Sequence, residues 1–297
     1  MALNKTLILI NLKDRPTELA LLLQSLRTQT FQEFDIMILD DCSGSPLTSY
    51  HFFNCILNRL KQEDHKVFIK RTDFSEGVSK ARHKIIQWAN EFDYEYYLRV
   101  DDDVMLEPDY IERLFKVIKA GYDLASGVTV PMAGPTIRRE SKFLNGIANR
   151  VILDEEGNYI MNGDDCGIEY IDSVIIPAHH FRSCALYKSK IHERVNYCPT
   201  TLSWHGFREE QIFSYKLLLA GFKIGVDTRA INFHQMTPSG GERSTQTNEN
   251  TIFNQKQLEI FTRENKDELR KLFPNEPMPT KLELQKSTNL LMRSSNG

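Results

Sequence analysis

Three consecutive aspartates, Asp101, Asp102 and Asp103, directly follow the strand-forming stretch YEYYLRV. Adjacent carboxylates raise one another's pKa unless a positive charge joins them. Their oxygens are hard ligands that suit Mg²⁺ or Mn²⁺. Alternatively, acidic residues at strand ends cap the helices that follow. Three carboxylates that abut a buried strand favour a bound cation over capping.

A second acidic pair, Asp40 and Asp41, ends the stretch FDIMILDD. For this pair alone, helix capping and ligand binding are equally open. Both acidic groups come at the carboxyl ends of predicted strands, where open α/β sheets bind their ligands. Together the two groups could hold a divalent cation and a ribose or base.

The elements that carry these aspartates alternate between strand and helix. The predicted strands are TLILINL, FDIMILDD, HKVFIKR, YEYYLRV and YDLASGVTV. TLILINL is continuously apolar, as in strands that are buried on both faces of a parallel sheet. Stretches with apolar residues at helical spacing separate the strands. The sequence therefore predicts an α/β fold with a mostly parallel sheet and helices on both faces.

The second half of the chain is less regular. RVILDEEGNYIM predicts a hairpin that turns at EEGN, and IEYIDSVIIP and FRSCALYKSKI predict strands. REEQIFSYKLLLAGFKIGV predicts a helix that ends at Gly221, followed by a strand. TIFNQKQLEIFTRENKDELRKLF predicts one charged amphipathic helix. The composition from Pro274 onward is typical of a disordered tail.

The composition argues against several kinds of partner and site. The 297 residues include 37 Lys+Arg and 40 Asp+Glu, so the net charge of -3 does not suggest nucleic acid or an anionic membrane as an obligatory partner. The five scattered cysteines lack CxxC spacing, which favours reduced thiols over a zinc site. No stretch approaches the roughly 18 apolar residues that indicate a membrane span. We expect a soluble, cytoplasmic protein without a transmembrane segment.

Four segments in sequence order resemble the family 2 glycosyltransferases, enzymes of the GT-A fold that use nucleotide-sugar donors. They are LINLKDRPTELALLLQSLRTQTFQEFDIMILDDCS, EGVSKARHKII, RVDDDVMLEPDY and FREEQIFSYKLLLAGFKI. The resemblance spans roughly residues 5–243. It implies a GT-A fold with a Rossmann-like, mostly parallel sheet, to which a C-terminal helical extension is added.

The resemblance also implies how the chain is divided. Residues 1–130 would form the nucleotide-sugar-binding half, and residues 131–235 the acceptor-binding and catalytic half of the same domain. Residues 236–273 would be a flexible loop and a C-terminal helix, and residues 274–297 the disordered tail.

On the donor side, the resemblance assigns roles to four residues. Asp41 would accept a hydrogen bond from the base, and Leu12 and Arg15 would lie beside that base. The N3–H of uracil needs such an acceptor, although guanine would also satisfy it. Arg82 would reach the diphosphate or the sugar, unless it only forms a surface ion pair. From its residues alone, the segment TPSGGERS would fold over the diphosphate, with Gly240 and Gly241 allowing close backbone approach and Arg243 pairing with a phosphate, and a plain flexible linker is the alternative.

The aspartates would hold the metal. By the resemblance, Asp103 would bind it and Asp101 would contact the ribose or the metal, whereas the role of Asp102 is the least defined. His234, after the last predicted strand, would complete the site. The cofactor would be Mn²⁺ or Mg²⁺, bridging the two phosphates of the donor.

On the acceptor side, the resemblance places a catalytic carboxylate in REEQ. Counted back from Lys216, Glu210 occupies the position of the catalytic base, with Glu209 as the other candidate. The chain departs here from the commoner pattern, which has Glu followed by Asp, and Arg at the position of Lys216. The alternative is an exposed helix N-terminus with favourable acidic residues.

These features predict a metal-dependent glycosyltransferase (hexosyltransferase type) that moves a single sugar from a nucleoside-diphosphate sugar, a UDP-sugar, to an acceptor hydroxyl with inversion. A retaining outcome stays open, since the fold does not fix the stereochemistry. The alternatives are a nucleotidyltransferase that forms sugar nucleotides and an inactive nucleotide-sugar-binding subunit. The acceptor could be a glycan, lipid, protein or nucleic acid, and a homo-oligomer is allowed.

Overall fold

A computed structural model describes residues 5–133, 150–162, 173–197, 202–238, 240–241, 247–273 and 281–294. Its strands are β1 (Thr6–Leu12), β2 (Phe34–Asp40), β3 (Val67–Arg71), β4 (Tyr96–Asp101), β5 (Val104–Leu106), β6 (Leu124–Pro131), β7 (Arg150–Leu153), β8 (Tyr159–Asn162), β9 (Ile175–Ala178), β10 (Ala185–Lys188) and β11 (Ile224–His234). Its helices are α1 (Pro16–Arg27), α2 (His51–Gln62), α3 (Val78–Ala89), α4 (Tyr110–Lys119), α5 (Glu209–Leu219), α6 (Asn248–Glu264), α7 (Lys266–Leu272) and α8 (Lys281–Ser294).

One large sheet organises the described part of the chain. Its strand order is β3-β2-β1-β4-β10-β6-β11-β5, and β9 pairs with β11. β1 runs parallel to β2 and β4, and β6 runs parallel to β11. β10 lies antiparallel between β4 and β6, and β5 and β9 are also antiparallel to their neighbours. The predicted mixed α/β fold with a mostly parallel sheet is confirmed.

The sheet is buried on both faces, as the continuous apolar strands predict. Leu7 and Leu9 of β1 face a core that includes α3 and α5, and Ile8 and Ile10 face a second core with α1, α2 and α4. Successive side chains of a strand point to opposite faces, so one apolar strand supplies both cores. This packing fixes the carboxyl ends of β1, β2 and β4 side by side.

The predicted hairpin and α5 are also present. β7 pairs antiparallel with β8, and Gly157 in the turn has φ +86°. Gly221 follows α5 with φ +86°, a left-handed conformation that glycine adopts without steric cost. A third, smaller core joins this hairpin to α5, α6 and α7. The C-terminal helices thus extend the main fold.

The segment predicted as one C-terminal helix forms two. α6 and α7 are separated at Asn265, whose side-chain amide donates to the carbonyl of Phe261 at 2.8 Å. Asn side chains compete in this way for helical carbonyls. The prediction of a single helix is therefore wrong at this residue.

The prediction of a disordered tail is wrong for the residues of α8. Leu284 is 3% exposed within the first core, and the hydroxyl of Thr288 accepts a hydrogen bond from the N–H of Ile175 at 3.0 Å. α8 therefore covers β9, although only a few of its side chains are apolar and buried. Such sparse contacts are invisible in the composition. The predicted tail residues 274–280 and 295–297 lie outside the described residues.

Two expectations about composition can be compared with the structure. Among the described residues, Cys42, Cys55 and Cys184 are free thiols, as predicted, and Cys166 and Cys198 fall outside the described ranges. Within the same ranges, the search for a helix with the length and apolarity of a membrane span finds none.

Candidate active site

A cavity of about 240 Å³ opens at the carboxyl ends of β1, β2 and β4, and we call it the first cavity. Its walls include the predicted donor-side residues Leu12, Arg15, Asp41, Arg82, Asp101, Asp102 and Asp103, and also Glu209, Glu210 and His234. The fold therefore brings together residues that are distant in sequence. Arg243 lies outside the described residues.

The three aspartates contact three arginines and one histidine from different parts of the fold. Asp101 pairs with Arg82 of α3, and with Arg99 of β4 at 3.0 Å. Arg15 reaches one carboxylate oxygen each of Asp102 and Asp103, both at 3.1 Å. The Nε2 of His234 at the end of β11 lies 3.2 Å from Asp103 Oδ1. These groups compensate the clustered negative charge.

The pKa values of the aspartates follow from this balance. Burial opposes the charged form of Asp101, but the charges of Arg82 and Arg99 outweigh it and hold its pKa below the usual value. Burial also opposes ionisation of Asp103, whose pKa is nevertheless lowered by His234 and Arg15. For Asp102, burial prevails over Arg15 and raises the pKa to about 7, with the neighbouring carboxylates adding to the rise. The outer two aspartates are therefore the stronger candidates for binding a cation.

Asp101, Asp103 and His234 fit a divalent metal ion. One ligand atom from each residue lies within 4.8 Å of the others. Carboxylate oxygens suit Mg²⁺ and Mn²⁺, and an imidazole nitrogen suits transition metals such as Mn²⁺. Strand pairing fixes the histidine, because His234 is opposite Val104 in β5, and the N–H of Gln235 donates to the carbonyl of Asp103 at 2.8 Å. Residues far apart in sequence thus form one candidate metal site.

Asp41 is held by the loop before α3. Its carboxylate accepts hydrogen bonds from the hydroxyl of Ser75 at 2.6 Å, the N–H of Glu76 at 2.9 Å and the N–H of Gly77 at 3.2 Å. Asp41 still lines the first cavity, although it is only 4% exposed. The predicted contact of Asp41 with a nucleotide base stays a prediction. Such a base would donate a hydrogen bond to a carboxylate that already accepts hydrogen bonds from the loop.

Arg15 faces the aspartates and the segment after β11. Besides its two ion pairs, its guanidinium donates to the carbonyls of Thr237 at 3.1 Å and Gly240 at 3.3 Å. A Cβ added to Gly241 would lie 2.7 Å from Arg15 Cζ, so this glycine permits close approach to the guanidinium. The sequence predicted that the glycines would allow approach to a diphosphate. In the structure, they allow approach to Arg15.

Arg82 is part of a buried charge network. Its side chain is 13% exposed and pairs with both Asp101 and Glu209. A purely surface ion pair, the alternative from the sequence, does not describe this environment. Its predicted contact with a diphosphate or sugar stays a prediction.

Sequence reasoning missed Arg99. Its side chain is 5% exposed, and one guanidinium nitrogen lies 3.0 Å from Asp101, 3.3 Å from Glu209 and 2.7 Å from Glu210. The guanidinium also stacks over Phe181, with 5.2 Å between its carbon and the ring centroid. The signal was an arginine inside an apolar strand, two residues before Asp101 and therefore on the same face.

The two glutamates of REEQ have different surroundings. Glu209 is 3% exposed, accepts a hydrogen bond from the hydroxyl of Tyr197 and pairs with Arg82. The Glu210 side chain is 26% exposed and accepts from the N–H of Ser183 at 3.0 Å as well as from Arg99. Glu209 is therefore part of the framework, whereas Glu210 can contact a substrate.

A second cavity of about 480 Å³ adjoins the first. Its own lining includes Thr129, His180, Arg182 and Gln211. The two cavities share Asp101, Phe207, Arg208, Glu210 and His234. Glu210 and two of the candidate metal ligands, Asp101 and His234, therefore stand where two ligands could meet.

Solved structures of similar fold include S. aureus TarS and GalNAc-T7. The chain resembles S. aureus TarS (residues 1–349) in complex with UDP-GlcNAc, with a TM-score of 0.54 and 16% identity over 82% of this chain and 61% of that chain. It also resembles GalNAc-T7 with UDP, GalNAc and Mn²⁺, with a TM-score of 0.59 and 14% identity over 77% of this chain and 43% of that chain. The chain thus covers less than two thirds of either neighbour. At these identities, the likeness shows the GT-A fold.

Sequence comparison gives two results. A search of curated protein sequences finds no match. The family described as "Glycosyl transferase family 2" matches residues 7–162, just over half of the 297 residues. This match includes β1 to β8, and with them the aspartates at the ends of β2 and β4. The chain therefore belongs to glycosyl transferase family 2.

Proposed function

We propose that this protein is a metal-dependent glycosyltransferase that moves a single sugar from a nucleoside-diphosphate sugar, a UDP-sugar, to an acceptor hydroxyl with inversion. One observation carries the proposal: Glu210 lies on the wall between the first cavity, which contains the aspartates, and the second cavity. The donor would occupy the first cavity and the acceptor the second. The family and the fold support this assignment.

The first cavity offers partners for each part of a donor. Leu12 and Asp41 lie at the ends of β1 and β2, where the base would bind. Asp101, Asp103 and His234 would hold Mn²⁺ or Mg²⁺, which when bound supplies positive charge to the two phosphates of the leaving group.

The reaction needs a base on the acceptor side. The oxygen of the acceptor hydroxyl forms a bond to the anomeric carbon, and the bond between that carbon and the phosphate oxygen breaks. The hydroxyl proton passes to the carboxylate of Glu210, and the nucleoside diphosphate leaves with the bonding electrons. Attack from the face opposite the leaving group inverts the anomeric configuration.

The surrounding residues orient that base. Arg99 and the N–H of Ser183 hold the same oxygen of Glu210, at 2.7 and 3.0 Å. The second oxygen has neither of these two contacts, so it can accept the proton. Arg99 also contacts Asp101, and it therefore links the base to the donor side of the site.

Thermal unfolding with UDP, GDP and CDP, each with and without Mn²⁺, tests the donor site. A ligand at about 100 times its dissociation constant stabilises the native state by roughly 2.7 kcal/mol. We expect the largest stabilisation from UDP with Mn²⁺, and a loss of the Mn²⁺ dependence in Asp103→Asn. Asp64→Asn, which changes an exposed aspartate at φ +66°, is the matched control. The absence of stabilisation by any nucleotide would contradict the proposed function.

A further inference from the structure

Arg15 lies between the candidate metal site and the chain that follows β11. One terminal nitrogen of its guanidinium is 3.1 Å from a carboxylate oxygen of Asp102 and 3.1 Å from Oδ2 of Asp103. The other terminal nitrogen donates to the carbonyls of Thr237 at 3.1 Å and Gly240 at 3.3 Å. Because a guanidinium is planar and rigid, its two nitrogens cannot move independently. One buried side chain therefore joins two parts of the site.

The carboxylate of Asp103 presents a different oxygen to each of two neighbours. Oδ2 faces Arg15, whereas Oδ1 lies 3.2 Å from Nε2 of His234, its partner in the candidate metal site. The carbonyl of Asp103 also accepts a hydrogen bond from the N–H of Gln235 at 2.8 Å, directly after β11. Because Arg15 pairs with Oδ2, it sets the orientation in which Oδ1 is offered to a metal ion. Residues that orient a metal ligand in this way typically change metal affinity by about 10- to 100-fold.

The chain after β11 packs directly onto Arg15, and we call its residues Thr237, Gly240 and Gly241 the strap. The N–H of Gly241 donates to the carbonyl of Lys13 at 2.7 Å, and Gly241 also lines the first cavity. Gly240 and Gly241 have φ +68° and +53°, in the left-handed region that favours glycine. A Cβ on Gly241 would lie 2.7 Å from Cζ of Arg15. The strap is therefore docked at the edge of the first cavity, where its backbone fixes the guanidinium.

We propose that Arg15 is a positioning residue that couples the candidate metal site to the strap. When the strap is docked, its carbonyls hold the guanidinium, and the guanidinium holds Asp103 in the orientation that binds a divalent cation. The inference rests on the proposed function, because that function includes the metal site. Coupling between two sites is reciprocal, so a cation on Asp103 stabilises the docked strap by the same factor. Arg15 thus makes docking of the strap depend on metal binding.

Mn²⁺ titrations of the full chain test this coupling. EPR measures the free Mn²⁺, without nucleotide and with a fixed concentration of UDP, each against a blank that lacks protein. The positive charge of Arg15 opposes a nearby cation, so the variants keep that charge. Arg15→Lys retains the charge, but a single ammonium cannot span both the aspartates and the strap carbonyls. Gly241→Ala displaces the guanidinium from the strap side. Gly221→Ala is the matched control, because Gly221 has φ +86° and an added Cβ meets no atom of the described residues within 4 Å beyond its chain neighbours.

We expect Arg15→Lys and Gly241→Ala to weaken the affinity for Mn²⁺ about tenfold or more, and Gly221→Ala to leave it unchanged. Hydrogen exchange measures the reverse effect by mass spectrometry of peptides that contain Gly241. Mn²⁺ should slow their exchange in the wild type by a similar factor, and Arg15→Lys should lose this response.

Three results overturn this inference alone. They are an unchanged Mn²⁺ affinity in Arg15→Lys or Gly241→Ala, exchange at Gly241 that does not respond to Mn²⁺ in the wild type, and a loss of affinity accompanied by faster exchange in β1, which indicates general unfolding. Failure of the wild type to bind Mn²⁺, both with and without UDP, overturns the metal-dependent function instead.

Discussion

The two sides of the site hold their charges differently. On the sheet side, Asp102 and Asp103 are buried and are paired with Arg15, which is also buried. On the α5 side, Glu210 is partly exposed and Arg182 is exposed, and both reach the second cavity. Buried charges need partners to offset their desolvation, whereas exposed charges can exchange water for a ligand. We infer that the sheet side supplies the framework and the α5 side supplies the chemistry with the acceptor.

The largest expected effect separates the two neighbouring glutamates. Glu210→Gln keeps the shape of the side chain but removes the proposed base, so we expect kcat to fall about a hundred- to ten-thousand-fold. Glu210 lies away from the end of the first cavity near Asp41, where the nucleotide base would bind. The affinity for the nucleotide should therefore change little. Transfer rates with saturating donor, together with nucleotide titrations, measure both quantities.

Glu209→Gln is the matched comparison for this prediction. Glu209 is buried and paired with Arg82, so its replacement should lower the free energy of unfolding as well as activity. Equal loss of stability in both variants would remove the distinction between framework and chemistry. Full activity of Glu210→Gln would reassign the base.

The second prediction concerns the framework. Arg99→Met leaves three carboxylates, Asp101, Glu209 and Glu210, without their shared buried cation. Loss of one partner from a buried ion pair costs about 3–5 kcal/mol, and we expect a reduction of that order in urea unfolding. Arg182→Gln, by contrast, should change the free energy of unfolding by less than about 0.5 kcal/mol. Similar losses in the free energy of unfolding for the two variants would show that burial does not distinguish the charges of the sheet side from those of the α5 side.

Much of the sheet side could be predicted from sequence because its signals are local. The apolar run of β1 and the aspartates after β4 predict a buried parallel strand and acidic groups at the ligand-binding edge. The resemblance added His234, which the structure places beside Asp103. These features can be read from the residue order within short segments or from the motifs that carry the resemblance.

The rest depended on contacts between distant residues. Arg99 pairs with Glu210 across 111 positions, and no pattern around either residue specifies that contact. The position of Arg15 beside a nucleotide base stays a prediction, and the sequence did not indicate that the fold brings Arg15 to Asp102, 87 positions away. α8 was predicted to be disordered because its packing rests on few buried residues, such as Leu284. Tertiary packing decides each of these cases.

The third prediction, the smallest in effect, uses a half-buried neutral histidine behind the α5 side. His192 stacks on Phe213 of α5 at 5.8 Å between ring centroids, and burial lowers its pKa to about 4. In the unfolded chain, a histidine has a pKa of about 6.5. Below that pH the unfolded chain binds a proton that the folded chain does not, so stability falls as the pH falls from about 6.5 toward 4. At pH 5 the loss from this residue is about 2 kcal/mol relative to pH 8.

Urea unfolding between pH 8 and pH 5 measures this loss. His192→Phe keeps an aromatic ring beside Phe213 but cannot be protonated, so its stability should decrease about 2 kcal/mol less than that of the wild type over this range. His51→Asn changes an exposed histidine of α2 and should keep the wild-type dependence on pH. An unchanged dependence in His192→Phe would mean that the acid sensitivity arises elsewhere. A reduced dependence would show that a neutral histidine ring supports the α5 side, in contrast to the paired charges of the sheet side.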